Sequence, residues 1–371
     1  MKVLILTCNT GGGHNTAAAS IEEAFERRGD VCEIEDALEF ISEKISKMFG
    51  KGHSRMYRYM PSVFNHGYKL SEQIPGLLQE NSGAYRFFAL GSDKLSEYIV
   101  NGQYELVICT HVFSAMMLSH VLKERKLNIR TGFVATDYTC YPGIDASNLD
   151  WYFISDESQI KAYEEKGVSR EKLVVTGIPV NRRFMEPTDK SLAKKREQIL
   201  NGEKHLLMMC GSMGCGPMKE LAEELAEKLP KDAVLTIICG TNESLYRKLE
   251  RRFENDTRVR VLAYTRRIPE LMDSADLYLT KAGGLSTSEA LSKQLPMCFI
   301  QAVAGCEEYN QEYFVSHGMA VTGETTEELA ELCAELLEDE VRLEQMKIRM
   351  KEESPGNAAK NIVDFLKNGE E

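Results

Sequence analysis

The sequence predicts an α/β protein built from two doubly wound, Rossmann-like domains that face a central cleft. A continuous apolar run at 2–7 leads into a glycine-rich turn and a helix, and residues 204–210 open a second unit in the same way. Between and after these openings, apolar runs alternate with helical patterns, which is typical of parallel sheets with right-handed crossovers. Ligands of such sheets bind at the carboxyl ends of the strands.

The individual elements follow in order along the chain. After the strand at 2–7 we predict a helix from Thr16 to Arg28, and after the strand at 204–210 a helix over 218–229. The other predicted strands are 31–36, 105–110, 130–136, 150–155, 172–177, 233–239, 258–263, 276–280 and 297–301. Two prolines within 176–190 indicate a connection between the halves. We therefore divide the chain into an N-terminal domain (1–180), a linker (181–203), a C-terminal domain (204–345) and a helix over 346–371, for which a return to the N-terminal domain is one option.

The composition excludes several classes of function. A net charge of −12 disfavours general nucleic-acid binding, which needs a basic surface. The ten cysteines form no CxxC pair, so zinc and redox motifs are disfavoured and reduced thiols of a reducing compartment are expected. No apolar run approaches about 18 residues, and the N-terminal run is too short for a signal peptide. We expect a cytoplasmic protein whose membrane contact, if any, is peripheral.

The first glycine-rich loop is Gly11-Gly12-Gly13-His14. Glycines let the backbone approach a ligand closely, and the helix that follows presents unpaired N–H groups suited to phosphate. A histidine at that edge is a candidate general base near neutral pH. The alternative is a structural βα turn with a solvated histidine. The spacing fits neither GxGxxG nor a Walker loop.

Two segments of the second half resemble this loop in composition. Gly211, Ser212 and Gly214 lie in GSMGCG, a turn suited to a diphosphate. The segment KAGGLSTSEAL at 281–291 brings Gly283, Gly284 and hydroxyl side chains into a helix whose first turn we expect to carry Glu289. The alternative for this segment is a capping box with Ser286 as the N-cap.

Four motifs together resemble glycosyltransferase family 28. They are GGGH at 11–14, ICGTN at 238–242, KAGGLSTSEAL at 281–291 and AGCEEYNQEYF at 304–314. Within the family the chain is most similar to monogalactosyldiacylglycerol synthases and bacterial diacylglycerol glucosyltransferases, from residue 1 to about 322. The enzyme that adds N-acetylglucosamine to a lipid-linked muropeptide is a more distant relative. The resemblance implies a GT-B fold and an inverting hexosyltransferase that uses a UDP-sugar.

The resemblance also implies roles for individual residues. In the acceptor half, His14 matches the family histidine, Asp137 lies in a threonine-aspartate segment, and His111 occupies a motif-like position. Asp137 is either the base or a group that positions the acceptor, and its alternative role is to cap a turn. In the donor half, Glu289 would hold ribose and Glu307 and Asn310 the sugar. The remaining donor-binding residues are Gly211, Ser212, Gly214, Tyr264, Ile268, Gly283, Gly284, Ser286 and Thr287.

The donor-sugar segment departs from the family pattern PGQExxN. Cys306 stands in place of the glutamine and Ala304 in place of the proline, which leaves the donor open among glucose, galactose and N-acetylglucosamine. We expect no metal and no cofactor, because no DxD-like acidic pair follows a strand. Backbone donors and a helix N-terminus can stabilise departing UDP without a cation.

A basic segment interrupts the acidic sequence. From Lys44 to Ser71 there is no Asp or Glu, and cations, including Lys51, Arg55 and Arg58, are interleaved with aromatic residues. This composition suits an anionic membrane surface. The alternative is a solvated helical face with a packed loop.

The predicted activity is transfer of a hexose from a UDP-sugar to a lipid, diacylglycerol in the first instance, by a peripheral protein on the cytoplasmic face of the membrane. One alternative is an N-acetylglucosamine transferase acting on a lipid-linked cell-wall precursor, for which a GGTGGH-like loop and a glutamine in the sugar segment are expected. Others are a UDP-sugar 2-epimerase on the same fold, and a non-catalytic sensor, which would be expected to have lost His14 or Asp137.

Overall fold

The computed structural model describes residues 1–9, 12–59, 76, 78–79, 82–200, 202–300 and 305–368, with backbone alone at 51, 53–59 and 368. The chain forms two compact units. The first comprises Met1–Asn181, Ala304–Cys306 and Pro355–Glu371, and the second comprises Arg182–Val303 and Glu307–Ser354.

A six-stranded parallel sheet forms the centre of the first unit. Its strands are β1 (Lys2–Thr7), β2 (Val31–Asp36), β3 (Leu106–Cys109), β4 (Arg130–Val134), β5 (Trp151–Ile154) and β6 (Leu173–Val175). They pair in the order β2-β1-β3-β4-β5-β6, so the direction of winding reverses between β1 and β3. Residues of β1 point alternately to the two faces: Val3 and Ile5 join one core cluster and Leu4 and Leu6 the other. Burial on both faces explains the continuous apolar run of this strand.

Helices cover both faces of this sheet. They are α1 (Gly12–Glu26), α2 (Ala37–Ile41), α3 (Glu43–Tyr59), α4 (Gly83–Ala89), α5 (Ser92–Gly102), α6 (Val112–Glu124) and α7 (Ile160–Glu165), together with the C-terminal α16 (Ala358–Asn368). Helix α16 buries Ile362, Val363 and Leu366 in the same cluster as α1. Lys367 adds an ion pair to the Asp30 carboxylate at 2.7 Å. The chain therefore ends by completing the core of its first unit.

The second unit contains another six-stranded parallel sheet. Its strands are β7 (Lys204–Met209), β8 (Ala233–Ile238), β9 (Val259–Leu262), β10 (Leu277–Thr280), β11 (Met297–Phe299) and β12 (Ala320–Thr322). Its helices are α8 (Lys190–Arg196), α9 (Met218–Lys228), α10 (Glu243–Arg252), α11 (Ile268–Ser274), α12 (Gly284–Ser292), α13 (Cys306–Ser316), α14 (Thr326–Glu338) and α15 (Glu340–Glu352). The order β12-β11-β10-β7-β8-β9 reverses between β7 and β10. The loops after these two strands lie at the switch point, where open α/β sheets bind ligands.

The predicted fold class, α/β with two doubly wound parallel sheets, is confirmed, and every predicted strand is present. Four details differ. The helix predicted over 346–371 is two helices, α15 (Glu340–Glu352) and α16 (Ala358–Asn368). Strand β12 was not predicted, and α1 begins at Gly12 instead of Thr16. The segment 181–203, predicted as a linker, contains α8, and Lys194 on this helix pairs with the half-buried Asp276 carboxylate at 2.8 Å. Residues 182–203 accordingly belong to the second unit.

Candidate active site

The first unit brings three polar loops together at the carboxyl edge of neighbouring strands. His14 follows β1, His111 follows β3, and Asp137 follows β4. Because β1, β3 and β4 are adjacent in the sheet, these residues converge although up to 123 positions separate them. The imidazole rings of His14 and His111 lie edge to face with their centroids 4.5 Å apart.

His14 is held in one tautomer by the backbone. Its Nδ1 lies 2.7 Å from the Thr110 carbonyl oxygen, which can only accept, so Nδ1 carries the proton. Nε2 of the neutral ring is then the basic nitrogen. Burial lowers the pKa of His14, opposed by the Asp137 carboxylate and the Thr110 carbonyl. A neutral imidazole with a bare Nε2 is the form that a general base requires at pH 7.

A chain of hydroxyl groups connects His14 with Asp137. The Thr136 hydroxyl oxygen lies 3.0 Å from Nδ1 of His14 and 2.9 Å from the Tyr141 hydroxyl. Tyr141 donates in turn to Oδ2 of Asp137 at 2.8 Å. Tyr141 and Thr136 were not predicted as site residues, although both lie in the segment that contains Asp137. A tyrosine four residues beyond a strand end carries no periodic signal that would distinguish it.

His111 has a structural role besides its place near His14. It is the N-cap of α6, where its Nδ1 accepts from the Phe113 amide at 3.1 Å. This bond leaves the proton of the neutral ring on Nε2. The predicted phosphate loop is described only in part: Gly12 and Gly13 form the first turn of α1, and Gly11 lies outside the described residues.

The Gly211 loop of the second unit follows β7 at the switch point. Gly211 and Gly214 have φ of +69° and +55°. A Cβ at Gly214 would lie 2.2 Å from the Cys239 carbonyl oxygen, so this glycine is explained by packing against the loop after β8. Ser212 is exposed, and its carbonyl oxygen accepts from the Thr241 amide at 2.9 Å. The loop is therefore fixed by the backbone and leaves the serine side chain accessible.

Lys281 is a cation that was not predicted as a site residue. A Cβ on Gly211 would lie 2.9 Å from its Cε, so the glycine makes room for the lysine. Its ammonium pairs with the buried Glu307 carboxylate on the first turn of α13. Asn310, one turn further, is fully buried and donates to the Ala282 carbonyl oxygen at 2.8 Å. Glu307 and Asn310 thus hold the segment that enters α12.

Helix α12 begins one turn earlier than a capping box would require. Its N-cap is Gly283, which makes no side-chain capping bond, and Gly284 is the first helical residue. The capping-box interpretation of Ser286 is therefore wrong, and Ser286 instead lies 2.8 Å from the Tyr278 hydroxyl. Thr287 donates back to the Gly284 carbonyl oxygen at 3.0 Å. The N-cap residue Gly283 therefore provides no side-chain acceptor for the first-turn amides of α12.

Glu289 lies in the second turn of α12, not the first as expected. Burial raises the pKa of its carboxyl to about 8. A ligand that donates hydrogen bonds to this carboxyl would favour its ionised form, with release of the proton to solvent. Tyr264 and Ile268 lie after the edge strand β9: Tyr264 is 61% exposed and Ile268 begins α11.

Lys51, Arg55 and Arg58 lie on α3, and their side chains are outside the described residues. Helix α3 is continuous from Glu43 to Tyr59. Positions 44, 47, 51, 55 and 58, all Lys or Arg, follow at intervals of three or four residues. In an α-helix such positions share one face. The Phe49 ring stacks on Phe87 at 5.9 Å between centroids, which anchors α3 to the first unit.

Over the described part of the chain, no helix is both long and apolar enough to cross a bilayer. The same residues contain no group of three or more His, Cys, Asp or Glu side chains arranged to hold a metal ion.

Two family models match successive segments of the chain. Residues 14–180 match monogalactosyldiacylglycerol (MGDG) synthase, and residues 205–366 match the C-terminal domain of glycosyltransferase family 28. Among similar proteins are processive diacylglycerol β-glucosyltransferases of Staphylococcus carnosus and Bacillus cytotoxicus. The first is 26% identical over 95% of this chain and 88% of its own length, and the second 28% identical over 98% and 93%.

Solved structures show the same fold at low identity. MurG of Acinetobacter baumannii superposes with a TM-score of 0.66, 14% identity and 99% of both chains covered. The UDP-GlcNAc 2-epimerase of Neisseria meningitidis gives a TM-score of 0.64 at 15% identity, with 99% of this chain and 100% of the epimerase covered. The fold is the two-domain GT-B fold. The two family models and the curated relatives together make the protein a glycosyltransferase, and its residues 205–366 match the C-terminal domain of family 28.

Proposed function

We propose that the protein transfers a hexose from a UDP-hexose to a lipid acceptor, diacylglycerol in the first instance, with inversion at the anomeric carbon. The observation that carries this proposal is His14, whose Nδ1 is fixed on the Thr110 carbonyl and whose Nε2 is basic. A neutral, oriented histidine is suited to deprotonate a hydroxyl group. The two relatives from Staphylococcus carnosus and Bacillus cytotoxicus are both named processive diacylglycerol β-glucosyltransferases, which supports diacylglycerol as the acceptor.

In the proposed step, Nε2 of His14 takes the proton of the acceptor hydroxyl. The oxygen forms its bond to the anomeric carbon while the bond from that carbon to the diphosphate oxygen breaks, and UDP leaves with the electron pair. One displacement inverts the configuration, so an α-linked donor gives a β-glycoside. Asp137 is engaged by the Tyr141 hydroxyl, which favours His14 as the base and Asp137 as a supporting anion.

The second unit supplies the donor side of the proposal. The uncapped N-terminus of α12 and the Lys281 ammonium offer positive charge to a diphosphate. Glu289 would accept hydrogen bonds from ribose hydroxyls, and Glu307 and Asn310 would approach the sugar. These groups can offset the charge of departing UDP, so we propose that transfer needs no divalent cation.

The basic face of α3 is proposed to bind an anionic membrane surface, with the protein peripheral on the cytoplasmic face. Five cations share this face, and each contributes about 1 kcal/mol near an anionic bilayer. Met48 on the same helix is 62% exposed, which provides an apolar group for the headgroup region.

The proposal is tested with His14→Ala on purified protein. We expect kcat to fall about 100-fold or more, because the acid–base group is lost, and KM for the UDP-hexose to change little. His317→Ala is the control, since this half-buried histidine of the second unit belongs to no part of the proposed site. If His14→Ala retains wild-type kcat, His14 is not the base.

A further inference from the structure

We propose that Tyr141 is a positioning residue, whose hydroxyl links the Asp137 carboxylate to the general base His14 through Thr136. The proposal rests on the role of His14 as the base. It assigns a function to two residues, Tyr141 and Thr136, that do not themselves contact the reacting atoms.

The direction of each hydrogen bond can be worked out from the donors available. Tyr141 has one hydroxyl proton, which it donates to Oδ2 of Asp137 at 2.8 Å. Its oxygen must therefore accept from its other two partners, the Thr136 amide at 3.1 Å and the Thr136 hydroxyl at 2.9 Å. Since the Thr136 proton points to Tyr141, the Thr136 oxygen presents a lone pair to His14.

The chain then runs in one direction, from Nδ1–H of His14 to Thr136, to Tyr141 and to Asp137. Nδ1–H is shared between the Thr110 carbonyl at 2.7 Å and the Thr136 oxygen at 3.0 Å. Every donor has an acceptor in this arrangement, and it persists when Nε2 takes a proton. The negative charge at the end of the chain favours the imidazolium that forms during transfer.

Burial supports this role for both tyrosine and threonine. Tyr141 is 8% exposed and Thr136 3% exposed, so water competes poorly for their hydroxyls. Burial, reinforced by the nearby Asp137 charge, raises the pKa of Tyr141 well above its usual value, and the phenol stays a neutral donor. The groups that face His14 are Asp137, which raises its pKa, and the ring of His111.

Breaking the chain frees the Thr136 hydroxyl to reverse. In Tyr141→Phe that hydroxyl can donate to Nδ1 of His14 in competition with the Thr110 carbonyl, so that a larger share of the rings carries the proton on Nε2 and lacks the basic lone pair there. We expect kcat to fall about 10- to 100-fold, the range for a lost hydrogen bond to a charged group, with KM for both substrates nearly unchanged. The kcat of Thr136→Val should fall by a similar factor. Thr136→Ser, which keeps the hydroxyl, should retain most of the wild-type kcat.

Tyr163→Phe is the matched control. Tyr163 is fully buried in the same unit, and its hydroxyl has no hydrogen-bond partner among the described residues. Removing it leaves the chain to His14 intact, so kcat and its pH profile should stay at the wild-type values. If loss of any buried phenol lowered activity, kcat would fall alike in Tyr163→Phe and Tyr141→Phe.

Two readouts separate positioning from a structural role. The acid limb of the pH profile of kcat should move to lower pH in Tyr141→Phe and in Asp137→Asn, because the coupling that raises the His14 pKa is weakened. In full-length protein with ¹⁵N-labelled histidine, NMR should show His14 with the proton on Nδ1, and a larger share of Nε2–H in Tyr141→Phe. The NMR result needs no turnover, so it stands or falls separately from the proposed function.

The proposal is overturned if Tyr141→Phe and Thr136→Val, folded by circular dichroism, keep the wild-type kcat, acid limb and His14 tautomer. If Tyr141→Phe does not fold, the comparison of kcat between Thr136→Val and Thr136→Ser decides. Equal rates in those two variants would also overturn it.

Discussion

The proposed contact between Glu289 and the ribose of UDP would make UDP binding depend on pH to an extent that can be calculated. Burial raises the pKa of its carboxyl to about 8 in the unliganded protein. The ionised carboxylate is the better acceptor for hydrogen bonds from ribose hydroxyls, so UDP binding would favour loss of the carboxyl proton. At pH 6.5 about 3% of the carboxyl is ionised and at pH 8 about half, which predicts an affinity rise of roughly 15-fold across this range.

The assay is titration calorimetry of UDP against the full chain at pH 6.5, 7.2 and 8.0. UDP itself loses a phosphate proton near this range. The pH dependence of UDP affinity in Glu289→Gln measures this contribution of the ligand, and it is subtracted from that of the wild type. At pH 8 the Gln variant should bind UDP more weakly by about 1–3 kcal/mol, the scale of hydrogen bonds to a charged group. Glu312→Gln, an exposed acid on α13, controls for charge.

The reasoning is refuted if wild type and Glu289→Gln show the same pH dependence, or if wild-type affinity falls as pH rises. Either result would mean that Glu289 does not bind ribose as a carboxylate. A difference that follows the calculated ionisation would place the UDP ribose beside α12.

Three further predictions concern the metal, the membrane and the stability of the second unit. Turnover should survive EDTA, since in the proposed mechanism Lys281 and the α12 N-terminus supply the positive charge; loss with EDTA and recovery with Mg²⁺ or Mn²⁺ would make the metal-free mechanism wrong. Replacing Lys51, Arg55 and Arg58 by Ser should weaken sedimentation with anionic vesicles about 100-fold, at about 1 kcal/mol per cation, while turnover on detergent-solubilised acceptor changes little. Stability should fall as pH drops from about 6.5 towards 3, because burial lowers the pKa of His205 to about 3, and the unfolded chain takes up the proton first.

The membrane and stability predictions each have a control. For the membrane, Arg247, Lys248 and Arg251 on α10 are changed to Ser, which removes the same charge from another surface. Equal losses in the two triple variants would make the effect one of net charge, and wild-type binding by the α3 variant would place the docking surface elsewhere. For stability, urea unfolding of His205→Gln should lose the slope of about 1.4 kcal/mol per pH unit between pH 6 and 4. An unchanged slope would show that His205 does not carry it.

Most strands could be predicted because they are short apolar runs, and the central ones, such as β3 and β10, are buried at every position. The start of α1 could not, because Gly12 and Gly13 have low helix propensity. Tertiary contacts of the first turn override it: Asn15 is bonded to Thr7 at 2.8 Å and His14 to Thr110. Local propensity has no access to such bonds.

The site was predictable where motifs mark it and not where the fold assembles it. His14 and Asp137 lie in recognisable segments, whereas the link between them depends on the adjacency of β1, β3 and β4. Ser286 shows the opposite error, since a local capping pattern is present but α12 starts at Gly284. Cys306, which stands in place of the family's glutamine, packs against the core of the first unit.

The most direct test of the central claim is product analysis with the purified full chain. The protein is incubated with diacylglycerol vesicles and with UDP-glucose, UDP-galactose or UDP-N-acetylglucosamine in turn, and lipids and nucleotides are resolved by mass spectrometry and NMR. The account predicts UDP and a β-linked hexosyl-diacylglycerol from at least one UDP-hexose. Conversion of UDP-N-acetylglucosamine to its 2-epimer, with no glycolipid from any donor, would contradict it.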